Sequence, residues 1–383
     1  MTQKIIGLIR WIALRTILLV AVLCSTACHS VFDDDEDCTP YYYMKFVYDM
    51  HMEYGDAFAK QVSSVDLYVF DAETGEYITH FTEAGDALAS ENYKMPLNLA
   101  PGKYKFIAWC GLGTPGNFDF SLTNVANIKT EADLKCTMNR TRGIIYKWNF
   151  ENGTYSYSKT DGAYSNRNLH PLFHGATVEV LPDQEGEHIY VVKLTRDTNN
   201  INLSLHHTSG ALDPDRFDIV MADENGFLAH DNSPLTDEII EYRPWDMRTG
   251  TVDISGSMAK ARAEGDDLNS EEANEDKDKN SAGFLIAEIS TSRLMKDHEQ
   301  RIYVIDKEKE EVIFSIPMVQ WALMFRSSNH ASMDEQEYLD RENEYNLMVF
   351  LADNVNKEDG WMAVSIFING WHMITGQDDE VLE

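Results

Sequence analysis

Basic residues are scarce in this chain: 32 Lys and Arg stand against 64 Asp and Glu over 383 residues, a formal net charge of −32. A surface this acidic excludes nucleic acid as a partner, because a polyanion needs a basic face to replace its counterions. Cysteine is nearly absent, with five in all. No two are spaced Cys-x-x-Cys, which excludes a zinc knuckle and a redox motif. The signatures of catalysis are missing too, with no His-Glu-x-x-His and no Gly-x-Ser-x-Gly elbow. His170 and His174 flank Pro171 and precede Gly175, so no helix sets them on one face. His206 and His207 are neighbours on a strand-like run and point to opposite sides. Gly111 to Gly116 looks like a phosphate loop only until Pro115 and the lack of a following helix are noticed. The acid clusters at 33–37 and 264–277 lack the alternating ligand spacing of a calcium loop. The chain reads as a non-enzyme without metal or cofactor. One further absence matters below: no arginine lies between Arg15 and Arg140.

What is present at the start is a leader. Lys4, Arg10 and Arg15 form a basic n-region, Thr16 to Leu23 an apolar h-region, and Ser25-Thr26-Ala27 a run of small residues before Cys28. The apolar stretch falls short of the roughly 20 residues a spanning helix needs. The pattern predicts a lipoprotein signal over residues 1–27, with acyl chains on Cys28 at about 0.8 kcal/mol of membrane affinity per buried CH₂. Ser25 departs from the Leu usual at that position, and the rival Cys24 follows the bulky Leu23. Loss of the leader's three positive charges takes −32 to −35. Docking on anionic lipid is thereby disfavoured, so the acyl chains alone must hold the membrane. Residues 28–38, with Asp33-Asp34-Asp35-Glu36-Asp37, read as an acidic tether. They resemble the tag with which Bacteroidetes export lipoproteins to the outer face of the outer membrane.

The remainder has strand-like pattern and little helix. Strands are expected at Tyr41–Tyr48 and Val65–Phe70, and at Leu97–Ala100 joined to Tyr104–Trp109 through a Pro101-Gly102 hairpin turn. Others are expected at Ala176–Val180, Ile189–Leu194, Ile201–Leu205, Phe217–Met221, Thr251–Ile254, Phe284–Ile289, Arg301–Val304, Val312–Ser315, Tyr345–Leu351, Met362–Ile368 and Trp371–Thr375. Helix is expected only within Met318–Phe325 and Met333–Glu344. Many short strands between turns predict an all-β chain of two tandem β-sandwiches. The turn-rich stretch from Leu181 to Gly186 places the boundary so that residues 39–183 form the first and 184–383 the second. Residues 259–282, rich in Glu, Asp, Asn and Lys, read as a disordered acidic loop. Cys38, Cys110 and Cys136 are an odd set, so at most one disulfide forms among them. Trp245, Trp361 and Trp371 read as core or interface residues before sugar-stacking ones.

Asp37-Cys38, Val65-Asp66-Leu67-Tyr68-Val69-Phe70-Asp71, Leu99-Ala100-Pro101-Gly102-Lys103-Tyr104, Ile107-Ala108-Trp109 and Leu172-Phe173-His174-Gly175 follow the lipoprotein signal in order. Together they resemble the fimbrillin-associated fimbrial anchor subunits of Bacteroidetes, the FimB-like lipoproteins, most strongly over residues 37–206. Cys110 departs from the family's usual Gly. The resemblance implies two transthyretin-like domains and a surface-exposed lipoprotein at the fimbrium base. It implies contact with a stalk subunit by strand exchange, in which one subunit's first strand is lost to an arginine-specific protease and a neighbour's strand fills the groove. The arginine gap predicts that here Tyr41–Tyr48 is kept. The candidate donor strand is Trp371, His372, Met373, Ile374 and Thr375. The alternative is a fimbrial tip adhesin or a glycan-binding surface lipoprotein with a host or glycan ligand.

Overall fold

The computed structural model describes residues 40–151, 153–207, 212–253, 281–324, 326, 330–353, 361–368 and 371–374. The leader, the tether with Cys28 and Cys38, Ile254, residues 259–280 of the acidic loop and Thr375 lie outside them. Ser281 and Ala282, expected in that loop, instead begin the strand Ser281–Ser292.

The chain is all-β and forms two transthyretin-like β-sandwiches in tandem. In the first, a sheet of three strands (Gly186–Lys193, Pro40–Val47, Met95–Leu97) faces one of five (Thr195–Arg196, Phe173–Leu181, Gly102–Cys110, Ser64–Asp71, Tyr77–Ala84). In the second, the strands Asp246–Asp253, Ser281–Ser292, Thr198–His207, Glu344–Asp353, Trp361–Ile368 and Trp371–Ile374 form one six-stranded sheet. The other six-stranded sheet orders Glu311–Pro317, Arg301–Asp306, Phe217–Asp223, Ile240–Tyr242, Thr154–Ser165 and Thr141–Glu151. A small sheet of Phe227–Leu228, Lys135–Met138 and Phe120–Thr123 lies between the sandwiches.

The five-stranded sheet explains why Val65–Phe70 and Phe106–Cys110 are apolar without clean alternation: both faces are covered. Val65, Leu67, Val69, Phe106, Ala108 and Cys110 point into the first core, under Tyr42, Met44, Phe46 and Tyr48. Tyr68, Phe70, Ile107 and Trp109 point the other way, into a core shared with Cys136, Met138 and the second sandwich.

Two expectations are corrected. The Pro101-Gly102 turn does not fold a hairpin. Met95 and Leu97 are buried in a strand beside the first one, in register with Met44 and Tyr42, so residues 98–101 carry the chain from one sheet to the other. The boundary at 183/184 also fails, in both directions. Gly186–Lys193 pairs in parallel with Pro40–Val47 and completes the first sandwich. The hairpin Thr141–Ser165, earlier in the chain, joins the second through Ile240–Tyr242. The short helix Phe58–Gln61 is unexpected, and helices stand where expected at Met318–Met324 and Glu335–Arg341. Asp334 caps the latter by accepting from the Gln336 and Glu337 amides.

Candidate functional site

The candidate site consists of two strands, one near each end of the described chain. Pro40–Val47 is an inner strand, with Gly186–Lys193 parallel on one side and Met95–Leu97 antiparallel on the other. Its inward side chains Tyr42, Met44 and Phe46 alternate with partly covered ones, and Phe46 stacks on Phe58 at 5.6 Å. The strand is tied at both ends. Tyr42 Oη donates to the Pro182 carbonyl at 2.6 Å, and the Val47 carbonyl accepts from the Leu194 amide at 2.9 Å. Just beyond it, Asn343 Nδ2 donates to Tyr48 Oη at 3.1 Å and Arg341 Nη1 donates to the Asp49 carbonyl at 3.0 Å. Those two bonds reach from the second sandwich to the base of the first strand.

The first arginines after the leader are engaged. Arg140 is bidentate on Asp237 at 2.8 and 2.9 Å with its side chain 11% exposed. Arg142 is bidentate on Glu238 at 2.6 Å for each bond, and its backbone pairs with Ala163 inside the hairpin.

Trp371–Ile374, the described part of the candidate donor, is an edge strand of the second sandwich. Its four residues pair antiparallel with Ile368, Phe367, Ile366 and Ser365. Among the described residues it has a neighbour on one side, whereas the first strand has one on each.

The remaining sequence candidates have structural partners. Cys110 and Cys136 are free thiols in different cores, so no bridge joins them, and burial raises each thiol well above its usual range. His170 Nδ1 meets Asp119 Oδ2 at 2.8 Å. His174 Nε2 donates to the His230 carbonyl at 2.9 Å, and burial pulls its imidazole down to about 4 against that bond. His206 Nε2 lies 2.6 Å from Ser204 Oγ, and His207 packs on Trp361. Trp361 also packs on Phe217 and takes Arg216 over its ring, while Trp245 is partly exposed. Among the described residues no three His, Cys, Asp or Glu gather in a way that could hold a metal ion.

Sequence reading misses the junction between the sandwiches. Arg293 is bidentate on Asp340 at 2.7 Å for each bond and donates to the Asn232 carbonyl at 2.7 Å. Asn232 Nδ2 donates to Asp197 Oδ1 at 2.8 Å. Burial pushes the Asp197 carboxyl up to about 7, while the nearby Arg293 charge and the Asn232 bond pull it back. These residues are dispersed along the chain and share no motif, so no local pattern marks them.

Two sandwiches fused through a doubly covered sheet, with the first described strand enclosed and the last described strand at an edge, define a tandem β-sandwich protein. The family model described as fimbrillin-A associated anchor proteins Mfa1 and Mfa2 matches residues 35–375. The chain belongs to this family. A Bacteroides thetaiotaomicron structure described as a candidate adhesin is 27% identical, with a TM-score of 0.68, over 88% of this chain and 98% of that one. Another from the same organism, described as a candidate polysaccharide-binding protein, is 26% identical with a TM-score of 0.64 over the same shares, 88% and 98%. The fimbrial anchor protein Mfa2 of Porphyromonas gingivalis shares the fold at 15% identity and a TM-score of 0.58, over 88% of this chain and all of that one (100%). A comparison with curated proteins gives no match.

Proposed function

We propose that this chain is an outer-membrane surface lipoprotein, held by acyl chains on Cys28, that anchors and terminates a fimbrium by strand pairing with a stalk subunit. The observation that carries the reading is the placement of the first strand. Tyr42, Met44, Phe46 and Tyr48 are 0–3% exposed between two neighbouring strands, and no arginine precedes them after the leader. A subunit that keeps this strand has no open groove to accept another, so the polymer stops at it. The edge strand Trp371–Ile374, with Thr375 after it, is the segment proposed to engage the stalk. It must leave its pairing with Trp361–Ile368 to be donated. Main-chain hydrogen bonds would then supply the affinity and alternate side chains the register.

The test is intact-mass and N-terminal analysis of the protein from purified outer membranes, together with protease shaving of whole cells. A triacylated start at Cys28, retention of residues 41–48 and loss of the chain on shaving are expected. A start inside the folded chain, with the first strand gone, would overturn the reading. A second reading, a surface adhesin or glycan-binding lipoprotein, draws on the two Bacteroides thetaiotaomicron relatives. It predicts surface display without dependence of fimbriae on this chain.

A further inference from the structure

The first sandwich has two outer faces, and one of them is taken. The five-stranded sheet turns Tyr68, Phe70, Ile107 and Trp109 into the core shared with the second sandwich. The three-stranded sheet leaves its outer side chains exposed or half-buried. Tyr41, Tyr43, Lys45 and Val47 alternate with the buried Tyr42, Met44 and Phe46 along its central strand. Ile189 and Val191 stand beside Tyr43 and Lys45 in register, and Pro96 flanks Tyr43 on the other side. Tyr41, Ile189 and Val191 are 46%, 51% and 41% exposed.

Acid is missing from the middle of this face. Tyr43, Lys45, Pro96, Ile189 and Val191 include one cation and no carboxylate, in a chain with 64 acidic residues against 32 basic ones. Two further lysines border it. Lys94 lies over the Tyr43 ring at 4.4 Å and pairs with Glu187, and Lys193 donates to Asp49 Oδ2 at 2.8 Å. Tyrosines and branched aliphatic side chains with lysines at hand suit a bilayer interface. The rings sit at headgroup level, the aliphatic groups reach the acyl boundary, and lysine stems lie along apolar surface with the ammonium on phosphate.

Position selects a bilayer over a protein partner, given the acylated Cys28 of the anchor reading. Residues 29–39 then separate the anchor from Pro40, where the central strand of the face begins. Fully extended, that segment sets Pro40 at most about 40 Å from Cys28, and the strand itself runs about 26 Å. The anchor therefore holds the first sandwich close to the bilayer, and a weakly attractive face docks because the encounter is intramolecular. We infer that the outer face of the three-stranded sheet lies on the bilayer that holds the acyl chains, with Tyr41, Tyr43, Ile189 and Val191 at the headgroups and Lys45 on a lipid phosphate. The lipid is zwitterionic, because a net charge of −32 opposes an anionic surface.

The test compares the acylated mature chain in phosphatidylcholine vesicles with the Cys28→Ser chain in buffer. Cys38→Ser removes the tether thiol from both, and Cys110 and Cys136 are buried out of reach of the label. A nitroxide is placed in turn on Ile189→Cys, Val180→Cys and Ile144→Cys, all exposed positions, and its collisions with a water-soluble nickel chelate are measured. The label on Ile189→Cys is expected to lose most of its collisions on the vesicle, while the other two keep theirs. Lys45→Glu, which puts a carboxylate in the middle of the face, should restore them. If Ile189→Cys does not fold, Val191→Cys takes its place. Undiminished collisions there, in a chain whose mass shows the acyl groups, overturn the inference and leave the anchor reading standing. Loss at Val180→Cys alone means that the sandwich stands on its end, and overturns it too. A chain without acyl groups overturns both readings together.

Discussion

Gly111 shows how much one residue can carry. It ends the apolar run after Cys110 at φ +98°, a conformation L side chains rarely adopt, and an added Cβ would stand 2.2 Å from the Pro171 carbonyl oxygen. Backbone sits on both sides of the collision, so no side chain can swing away to relieve it. Gly111→Ala should cost about 1–3 kcal/mol, read as a lower midpoint in urea unfolding. Gly153 at the hairpin tip has φ +79° but open space around it, so strain there would come from the backbone alone. The two thiols give a second residue-scale expectation. Burial holds Cys110 and Cys136 protonated and out of reach. A thiol reagent at pH near 8 should therefore leave both unlabelled in the native protein and label both after denaturation. Rapid labelling of either in the folded state would contradict the packing described.

Among the elements, the first strand was the most legible. Its run is aromatic and β-prone, as a strand requires, and Tyr42, Met44 and Phe46 occupy its buried face. Phe46→Ala should cost about 3–5 kcal/mol by emptying a core site. Lys45→Ala, on the outward face, should stay within about 0.5 kcal/mol. Equal effects in denaturant unfolding would mean the strand is not seated in this register. Phe217–Met221, Phe284–Ile289, Arg301–Val304, Val312–Ser315, Tyr345–Leu351 and Met362–Ile368 were also legible, whereas the short strands Phe227–Leu228 and Ile240–Tyr242 and the first half of Asp246–Asp253 were not. Pairing was not. Leu97 and Tyr104 flank a good turn signal, yet nothing local reports that Met95 and Leu97 pair alongside Met44 and Tyr42 in the opposite sheet. The Thr141–Ser165 hairpin carried a readable cue, Asn152-Gly153 between two long runs, the favoured composition of a two-residue turn. Its polar and aromatic mixture concealed the strand period. The buried ion pairs of the junction left no trace at all, since charge in a sequence reads as surface until a partner is seen.

For the whole molecule, the junction makes stability depend on pH in two opposing ways. Asp197 has its carboxyl raised from the usual 3.8 to about 7. Through that window the folded chain holds a proton the unfolded chain has lost, so this contribution is present at low pH and disappears as pH rises toward about 7. His174 is lowered from the usual 6.5 to about 4. Over that range the unfolded chain takes a proton the folded chain refuses, so its contribution grows with rising pH. The two nearly offset each other between pH of about 4 and 6.5. Asp197→Asn should abolish the first and expose the second, so that thermal midpoints climb through the acidic range more steeply than in the unsubstituted protein. Parallel profiles for the two proteins would show that Asp197 is already ionised in the fold. The parallel pairing of Pro40–Val47 with Gly186–Lys193 has a mechanical consequence as well. The described chain begins at the start of the first of these strands, and from the end of the other it passes through the short strand Thr195–Arg196 into the second sandwich. A pull between those two points draws the strands along each other lengthwise. Their rungs are then loaded together in shear instead of being peeled apart one by one, and tension is shared across the whole ladder.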